Sequence, residues 1–310
     1  MTACVPRVER TYLPVPQSDA QIPVITLTGA EGPVCTITAG VHANEYVGEQ
    51  ALVELAHELA AAALAGTVRL VPVANVCGFG RRGTSMVPPA EENLNRVFPG
   101  SPTGTLGERV AWTVFNGCIA SSDFYVDLHS GDYFEDLAPH LYYVNDLPCS
   151  AVAAQMARCA NVPFSAPFGG ARSGNAIASA AAAGVPSVLV ERGGMGRWTR
   201  AEVEGAKADV RNLLRFMGIL EGEALDFGTS QLCFADERLV DFAAPCSGLW
   251  YPAKRPGEGF AAGESLGQVR DVFGSVLYDV NPGCAGYVIF QTGALNAIEG
   301  GPLITYGVLA

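Results

Sequence analysis

The residues best placed to do chemistry begin with His42 and Glu45, in the stretch Gly40-Val41-His42-Ala43-Asn44-Glu45. An apolar, β-branched run at 34–39 precedes them and reads as a buried strand. An amphipathic stretch at 46–64 follows and reads as a helix. The pair therefore sits where a strand turns into a helix, at the carboxyl edge of an α/β sheet, where ligands bind. Side chains three apart at a helix start point the same way. An imidazole nitrogen and a carboxylate oxygen form a zinc ligand pair. A catalytic zinc needs one more protein ligand and keeps one position open. By themselves the two residues suit a polar helix cap equally well.

His129 is the leading candidate for the third ligand. It ends a strand in Asp127-Leu128-His129-Ser130-Gly131, where serine and glycine allow a sharp turn. A lone histidine is more often structural. Here, however, the chain has only four histidines, and two of them follow strands in line with the same sheet edge. His57, within a helix, and His140, at a strand start, take the structural reading. Asp127, two residues before His129 and on the same side of the strand, can orient the imidazole. Glu191 ends the apolar run at 186–190 and is followed by Arg192-Gly193-Gly194. It fits a base that takes a proton from water and returns it to a leaving amine; the lesser alternative is a helix-capping glutamate or one ion-paired with Arg192. Arg82 is suited to polarise a carbonyl. Asn95 with Arg96 is suited to bind a substrate carboxylate, because the guanidinium fork matches it. Arg81 and Arg82 are adjacent and point differently, so one of them faces the site.

These positions need a scaffold, and the alternation of patterns provides it. Strands are expected at 24–28, 33–39, 68–73, 124–128, 141–144 and 185–190. Helices are expected at 45–64, 105–120, 151–161, 175–183 and 199–217. Thr105 with Glu108 and Thr199 with Glu202 form capping boxes. Residues 74–104 lack periodicity but carry Leu94, Val97 and Phe98 as anchors, so an ordered active-site loop is expected. Residues 1–23, with four prolines, read as an irregular or edge-strand lead-in. The expected fold is α/β, a mainly parallel (mixed) sheet flanked by helices, over residues 1–222. Residues 223–310 change texture to short β runs at 249–251, 269–272, 275–280 and 287–291. Cys246-Ser247-Gly248 recurs 38 residues later as Cys284-Ala285-Gly286. That echo predicts a second, all-β unit, a pseudo-symmetric sandwich or barrel. Its outline is that of lipoyl and biotinyl carrier domains, but Lys254, the only lysine there, lacks their turn flanks.

The totals narrow the function. A 49% apolar, 16% charged chain of 310 residues packs a large core. A net charge of −12 argues against nucleic-acid or anionic-membrane partners. The nine cysteines are odd in number, lie mostly in apolar runs and form no Cys-x-x-Cys. That pattern suits a reducing, cytoplasmic setting. No apolar run reaches the ~18 residues of a membrane span, and residues 1–10 carry charges where a signal peptide would be apolar. Exposed edges in the β unit make a homo-oligomer plausible.

In combination, His42-x-x-Glu45, Asn93-Leu94-Asn95-Arg96-x-Phe98-Pro99-Gly100, Asp127-Leu128-His129-Ser130-Gly131 and Glu191-x-Gly193-Gly194 resemble the succinylglutamate desuccinylase/aspartoacylase family. That family is a branch of the zinc carboxypeptidase-like superfamily, and the resemblance runs over about residues 20–220. It implies one zinc per chain on His42, Glu45 and His129. It implies Glu191 as general base and acid, Arg82 as carbonyl polariser and Asn95 with Arg96 as carboxylate clamp. The implied reaction is hydrolysis of the amide of a small N-acylated, carboxylate-bearing substrate. Two other functions compete: a metallocarboxypeptidase acting on short peptides, which needs an open groove, and a non-catalytic binding protein on the same fold. Ala43, where the family commonly has glycine, and Pro88-Pro89-Ala90-Glu91-Glu92, where it often has Asp-Gly, depart from the pattern.

Overall fold

The computed structural model of the chain describes residues 3–170 and 174–309. In chain order the first unit comprises β1 (Arg7–Pro14), β2 (Gln21–Thr28), β3 (Ala30–Ala39), α1 (Tyr46–Ala60), β4 (Ala65–Val71) and the one-turn α2 (Val76–Phe79). It continues with α3 (Leu106–Gly117), β5 (Phe124–His129), β6 (Glu135–Leu137), β7 (His140–Val144), α4 (Ser150–Ala157) and β8 (Phe164–Phe168). Then come α5 (Ala176–Ala182), β9 (Ser187–Glu191), α6 (Arg200–Phe216) and the short β10 (Leu232–Cys233).

Nine strands form one sheet in the order β1-β2-β4-β3-β5-β9-β7-β8-β10. Its centre, β4-β3-β5-β9, is parallel. The lead-in forms an antiparallel edge hairpin, β1 with β2, and β7 runs antiparallel to β9. Strand β5 shows how the sheet is sandwiched: Val126 and Leu128 pack with α1 and α6 residues such as Leu55 and Leu213. Tyr125 faces the opposite layer, with Val114 of α3 and Ile177 of α5. Side chains alternate along a strand, so Asp127 and His129 share Tyr125's face. Both expected capping boxes form, at Thr105 and at Thr199. Helix α1 stops at Ala60, before the expected 64, and β4 begins at Ala65. Strand β8 was not anticipated, because its core-buried Phe-Ser-Ala-Pro-Phe carries a proline.

The second unit comprises β11 (Leu239–Ala243), β12 (Gly248–Pro252), β13 (Gly259–Phe260), β14 (Gly267–Arg270), β15 (Val276–Val280), β16 (Gly286–Thr292), β17 (Asn296–Ala297) and β18 (Pro302–Val308). It is a sandwich of two antiparallel sheets, β11-β18-β16-β13 and β15-β14-β12-β17. Trp250 and Val269 of one sheet pack against Val288 and Ile304 of the other. The repeated Cys-x-Gly opens an equivalent strand in each sheet: Gly248 begins β12 and Gly286 begins β16.

One strand of the first unit joins a sheet of the second. β6, from the first, pairs with β16 of the second. β10 closes the edge of the main sheet beside β8. A small apolar cluster of Ala138, Phe164, Phe234 and Ile289 sits at the junction. Among the described residues no helix is long and apolar enough to cross a membrane.

Candidate metal centre and active-site cavity

The turn after β3 is made by Gly40, whose φ of +64° favours glycine and where a Cβ would stand 2.6 Å from Glu49 Oε1. This turn delivers His42 and then Glu45 at the N-cap position of α1. The Glu45 carboxylate makes no capping bond. Its Oε1 lies 2.7 Å from His42 Nδ1 and its Oε2 2.8 Å from His129 Nδ1. Oε2 also accepts from the Ser130 N–H at 3.1 Å. The alternative of an ordinary helix cap therefore does not describe this residue.

The far nitrogens of both imidazoles are engaged elsewhere. His129 Nε2 meets Asp127 Oδ2 at 3.1 Å and His42 Nε2 meets Asn93 Oδ1 at 3.1 Å. Both acceptors are oxygens, so each ring donates from Nε2; each Nδ1 faces the Glu45 carboxylate and would turn its lone pair to a cation held at the centre. Asp127 is itself held by the Thr38 hydroxyl, 2.6 Å from its Oδ1, across the β3–β5 register. Three ligand-type side chains, His42, Glu45 and His129, thus bring their donor atoms within 4.8 Å of one another. Two imidazoles and a carboxylate, each imidazole oriented from behind, fit a divalent cation such as zinc. Without a cation, burial disfavours charge on His129, but Asp127 and Glu45 outweigh it and hold its pKa well above the usual value. Burial alone would raise Glu45, yet the two imidazoles pull it down to about 2.

Glu191 ends β9 directly across from His129 in the β5–β9 register. Burial lifts its carboxyl to about 8; the imidazoles oppose this, while Glu45 and Glu135 add to it. Its neighbour Arg192 is occupied by Asp209, at 2.7 Å, which leaves Glu191 to the cavity. After it the chain turns at Gly193, φ +82°, where a Cβ would meet Val47 Cγ2 at 2.7 Å.

These residues line one cavity of about 620 Å³. His42, Glu45, His129, Glu191, Asn95 and Arg96 all contribute to its wall. Asn95 spends Oδ1 on the Ala176 N–H that starts α5, at 2.8 Å, so its amide nitrogen is the group left for a ligand. Arg96 is exposed and donates from Nη1 to the Asn95 carbonyl at 2.8 Å. Arg82 is not among the lining residues. It is exposed and acts electrostatically on the Tyr46 phenol, whereas Arg81 acts on Cys77. Tyr46 and Tyr133 hydroxyls lie 3.3 Å apart, and Tyr133 accepts from the Gly83 N–H at 3.1 Å, which ties the Arg82 loop to the residue that follows Glu45.

The sequence departures are absorbed locally. Ala43 donates its N–H to Ser85 O at 3.0 Å, and its methyl fills the space that a Cβ on Gly78 would need, 2.7 Å away. The 88–92 stretch is closed by a bridge between Val87 and Glu92. The Glu92 carboxylate then accepts from Thr105 Oγ1 and the Gly107 N–H at the start of α3.

Several wall residues were invisible to the sequence reading. Glu135 is half-buried and its carboxyl is lifted to about 7, chiefly by desolvation and then by Asp132 and Glu45. His140, expected to be purely structural, lines the cavity. Asp241 and Phe290 reach it from the second unit. Asn93, which orients His42, was legible only as part of its Asn-Leu-Asn-Arg run.

Comparison with known proteins agrees with this arrangement. Residues 31–217 match the model of the succinylglutamate desuccinylase/aspartoacylase catalytic domain. Over 207 residues the chain is 31% identical to the N-alpha-acetyl-L-2,4-diaminobutyric acid deacetylase of Halomonas elongata, covering 65% of this chain and 60% of that protein's length. The product-bound ectoine utilization protein EutE (DoeB) of Ruegeria pomeroyi superposes with a TM-score of 0.86 at 27% identity, covering 98% of this chain and 95% of that one. A succinylglutamate desuccinylase/aspartoacylase from Rhodobacter sphaeroides superposes with a TM-score of 0.83 at 23% identity, covering 99% of both chains. The chain belongs to the succinylglutamate desuccinylase/aspartoacylase catalytic-domain family.

Proposed function

We propose that the protein is a zinc-dependent hydrolase that cleaves the amide bond of a small N-acylated amino acid. The observation that carries this reading is the convergence of His42, Glu45 and His129 with Glu191 on one cavity. A zinc ion held by the three ligands supplies positive charge that makes water nucleophilic near neutral pH and draws electrons from the amide carbonyl. Glu191 takes the proton from the attacking water and returns it to the departing amine. Positive charge beside Glu191 would lower its pKa from about 8 towards neutrality, where uptake and return are both easy. Arg96, with the Asn95 amide nitrogen, holds the substrate carboxylate. Arg82, exposed and outside the cavity lining, is assigned to the carbonyl oxygen, which requires its loop to move inward when substrate binds.

The division into a catalytic unit, 1–222, and a β unit, 223–310, has a functional meaning on this reading. Asp241 and Phe290 of the second unit form part of the cavity wall, which supports a small-molecule substrate over a peptide. The deacetylase relative from Halomonas supports an N-acetyl amino acid. The test joins metal analysis to a substrate panel. About one zinc per chain is expected, with turnover of N-acetyl or N-succinyl amino acids and none of short unacylated peptides. Absence of zinc after supplementation, or turnover of peptides alone, refutes the proposal.

A further inference from the structure

An open strand edge is a row of unpaired N–H and C=O groups, and proteins protect such edges with charge, proline or shortness. Most edges of this fold are protected. β1 carries Arg7, Glu9, Arg10 and Pro14. β6, β10, β13 and β17 are two or three residues long. β11 packs Leu239 at the junction of the units and Val240 and Phe242 against the sandwich core. β15 is the exception. It ends the order β15-β14-β12-β17, so its outer side meets no strand among the described residues. Its run Val276-Leu277-Tyr278-Asp279-Val280 has no proline and no basic residue. Val276, Leu277 and Tyr278 are 51%, 48% and 40% exposed, and Val272 and Phe273, in the turn before the strand, are 76% and 93% exposed. The one charge of the strand, Asp279, is held by its own unit: it accepts from Ser265 Oγ at 2.5 Å and from Gln268 Nε2 at 2.9 Å. Asp271 is likewise occupied in shaping the turn, accepting from the Phe273 and Ser275 N–H groups at 2.9 Å.

We propose that the β15 edge is a self-association surface whose occupant is β15 of a second copy of this chain, paired antiparallel about a two-fold axis at Leu277. The register favours a copy. An axis perpendicular to the sheet keeps each side chain on its own face and makes the edge its own partner. Centred on Leu277, it sets Leu277 against Leu277, Val276 against Tyr278 as a β-branched–aromatic pair, and Asp279 against the Ser275 hydroxyl. Centring on Tyr278 would set Leu277 against the Asp279 carboxylate, and centring on Asp279 would oppose two carboxylates.

Charge and area agree with this occupant. The chain carries a net charge of −12, so two copies repel over most of their surface, but residues 272–278 hold no charged side chain and contact is least opposed there. The five exposed apolar side chains leave on the order of 500 Å² open. Two copies would cover about 1,000 Å² of side chain, with main chain in addition, which reaches the lower end of specific interfaces. Such an area suits a reversible dimer with a Kd on the order of 1 μM rather than an obligate one. None of these residues is among the described residues lining the cavity, so dimer formation and the reaction are tested separately.

The experiment is sedimentation velocity of the full chain across a concentration series. Wild type is expected to pass from monomer to dimer as concentration rises. Leu277→Glu, which opposes two carboxylates on the axis, is expected to weaken self-association at least about tenfold while melting temperature and zinc content stay unchanged. Phe273→Ser, at a turn tip outside every core cluster, is expected to weaken it severalfold and guards against a folding defect in the strand variant. Leu277→Cys is expected to give a disulfide-linked dimer on oxidation with copper phenanthroline, because paired Cα atoms there would stand about 4.5–5.5 Å apart. Wild type, with Cys4 and Cys233 exposed, supplies the background for that reaction. A wild-type chain that stays monomeric to about 100 μM, where a micromolar dimer is saturated, overturns the inference and leaves β15 to a different protein. A dimer that persists unchanged in Leu277→Glu and Phe273→Ser overturns it as well and places the contact on another surface.

Discussion

Asp127→Ala tests how the metal centre is held. The Asp127 carboxylate is fully buried, as is the His129 ring against it, and the His129 Nε2–H points at Oδ2 over 3.1 Å. Removing the carboxylate leaves that N–H unpaired in the core, at a cost of about 1–3 kcal/mol. It also frees the ring to change tautomer or rotate, which takes the Nδ1 lone pair off the centre. Loss of such an orienting partner typically weakens metal binding ~10–100-fold, or about 1.4–2.7 kcal/mol. Asp127→Asn should sit at the low end, near tenfold. Its oxygen can still face Nε2–H while its amide nitrogen donates to Thr38 Oγ1, 2.6 Å from the present Oδ1. Competition with a chromophoric chelator measures the zinc Kd, and thermal melts of the metal-free variants confirm that they fold. A folded Asp127→Ala protein that binds zinc within threefold of wild type would refute the orienting role.

Other substitutions probe the remaining parts. Glu191→Gln should retain one zinc per chain while kcat falls ~10²–10⁴-fold, and full turnover in that variant removes Glu191 from proton transfer. Arg96→Ala should raise KM mainly for substrates with a free carboxylate; an equal rise for their amides or esters rules out the clamp. Glu49, buried beside Glu45, has an unpaired Oε1 and a carboxyl raised to about 9, chiefly by burial and then by Glu45. A raised carboxyl contributes stability that is complete below its unfolded pKa of about 4.5 and is lost as pH rises towards the folded value. Glu49→Gln is therefore expected to gain stability over wild type between pH 5 and 9, by on the order of a few kcal/mol at the alkaline end. Melting curves of the metal-free proteins that run parallel across this range would show that Glu49 is not held neutral.

What was legible in the chain was local. The strand-to-helix turn carrying His42 and Glu45, the strand ends carrying His129 and Glu191, and the capping boxes at Thr105 and Thr199 are each specified within a few residues. Hydrophobic period and cap chemistry suffice for them. The repeated Cys-x-Gly likewise announced the two-sheet unit. The choice between an ion-paired and a free Glu191 was not local, because Arg192 finds its partner in Asp209, 17 residues on in α6. The adjacent Arg81 and Arg82 act on different groups, Cys77 and the Tyr46 phenol, and neither is among the described residues lining the cavity.

The sequence by itself determined the kind of chemistry: which side chains stand at the carboxyl edge of the central strands, and so a metal-type triad with a carboxylate beside it. Only the tertiary structure decided what that chemistry faces. β6 leaves the first unit to pair with β16, some 150 residues away in the chain. That pairing stacks His140 on Phe290, and Glu135 and Asp241 join the cavity wall from distant segments. No period or spacing encodes such a wall, because its residues meet through strand pairing between distant segments, and a side chain's role there depends on the neighbours that folding brings to it.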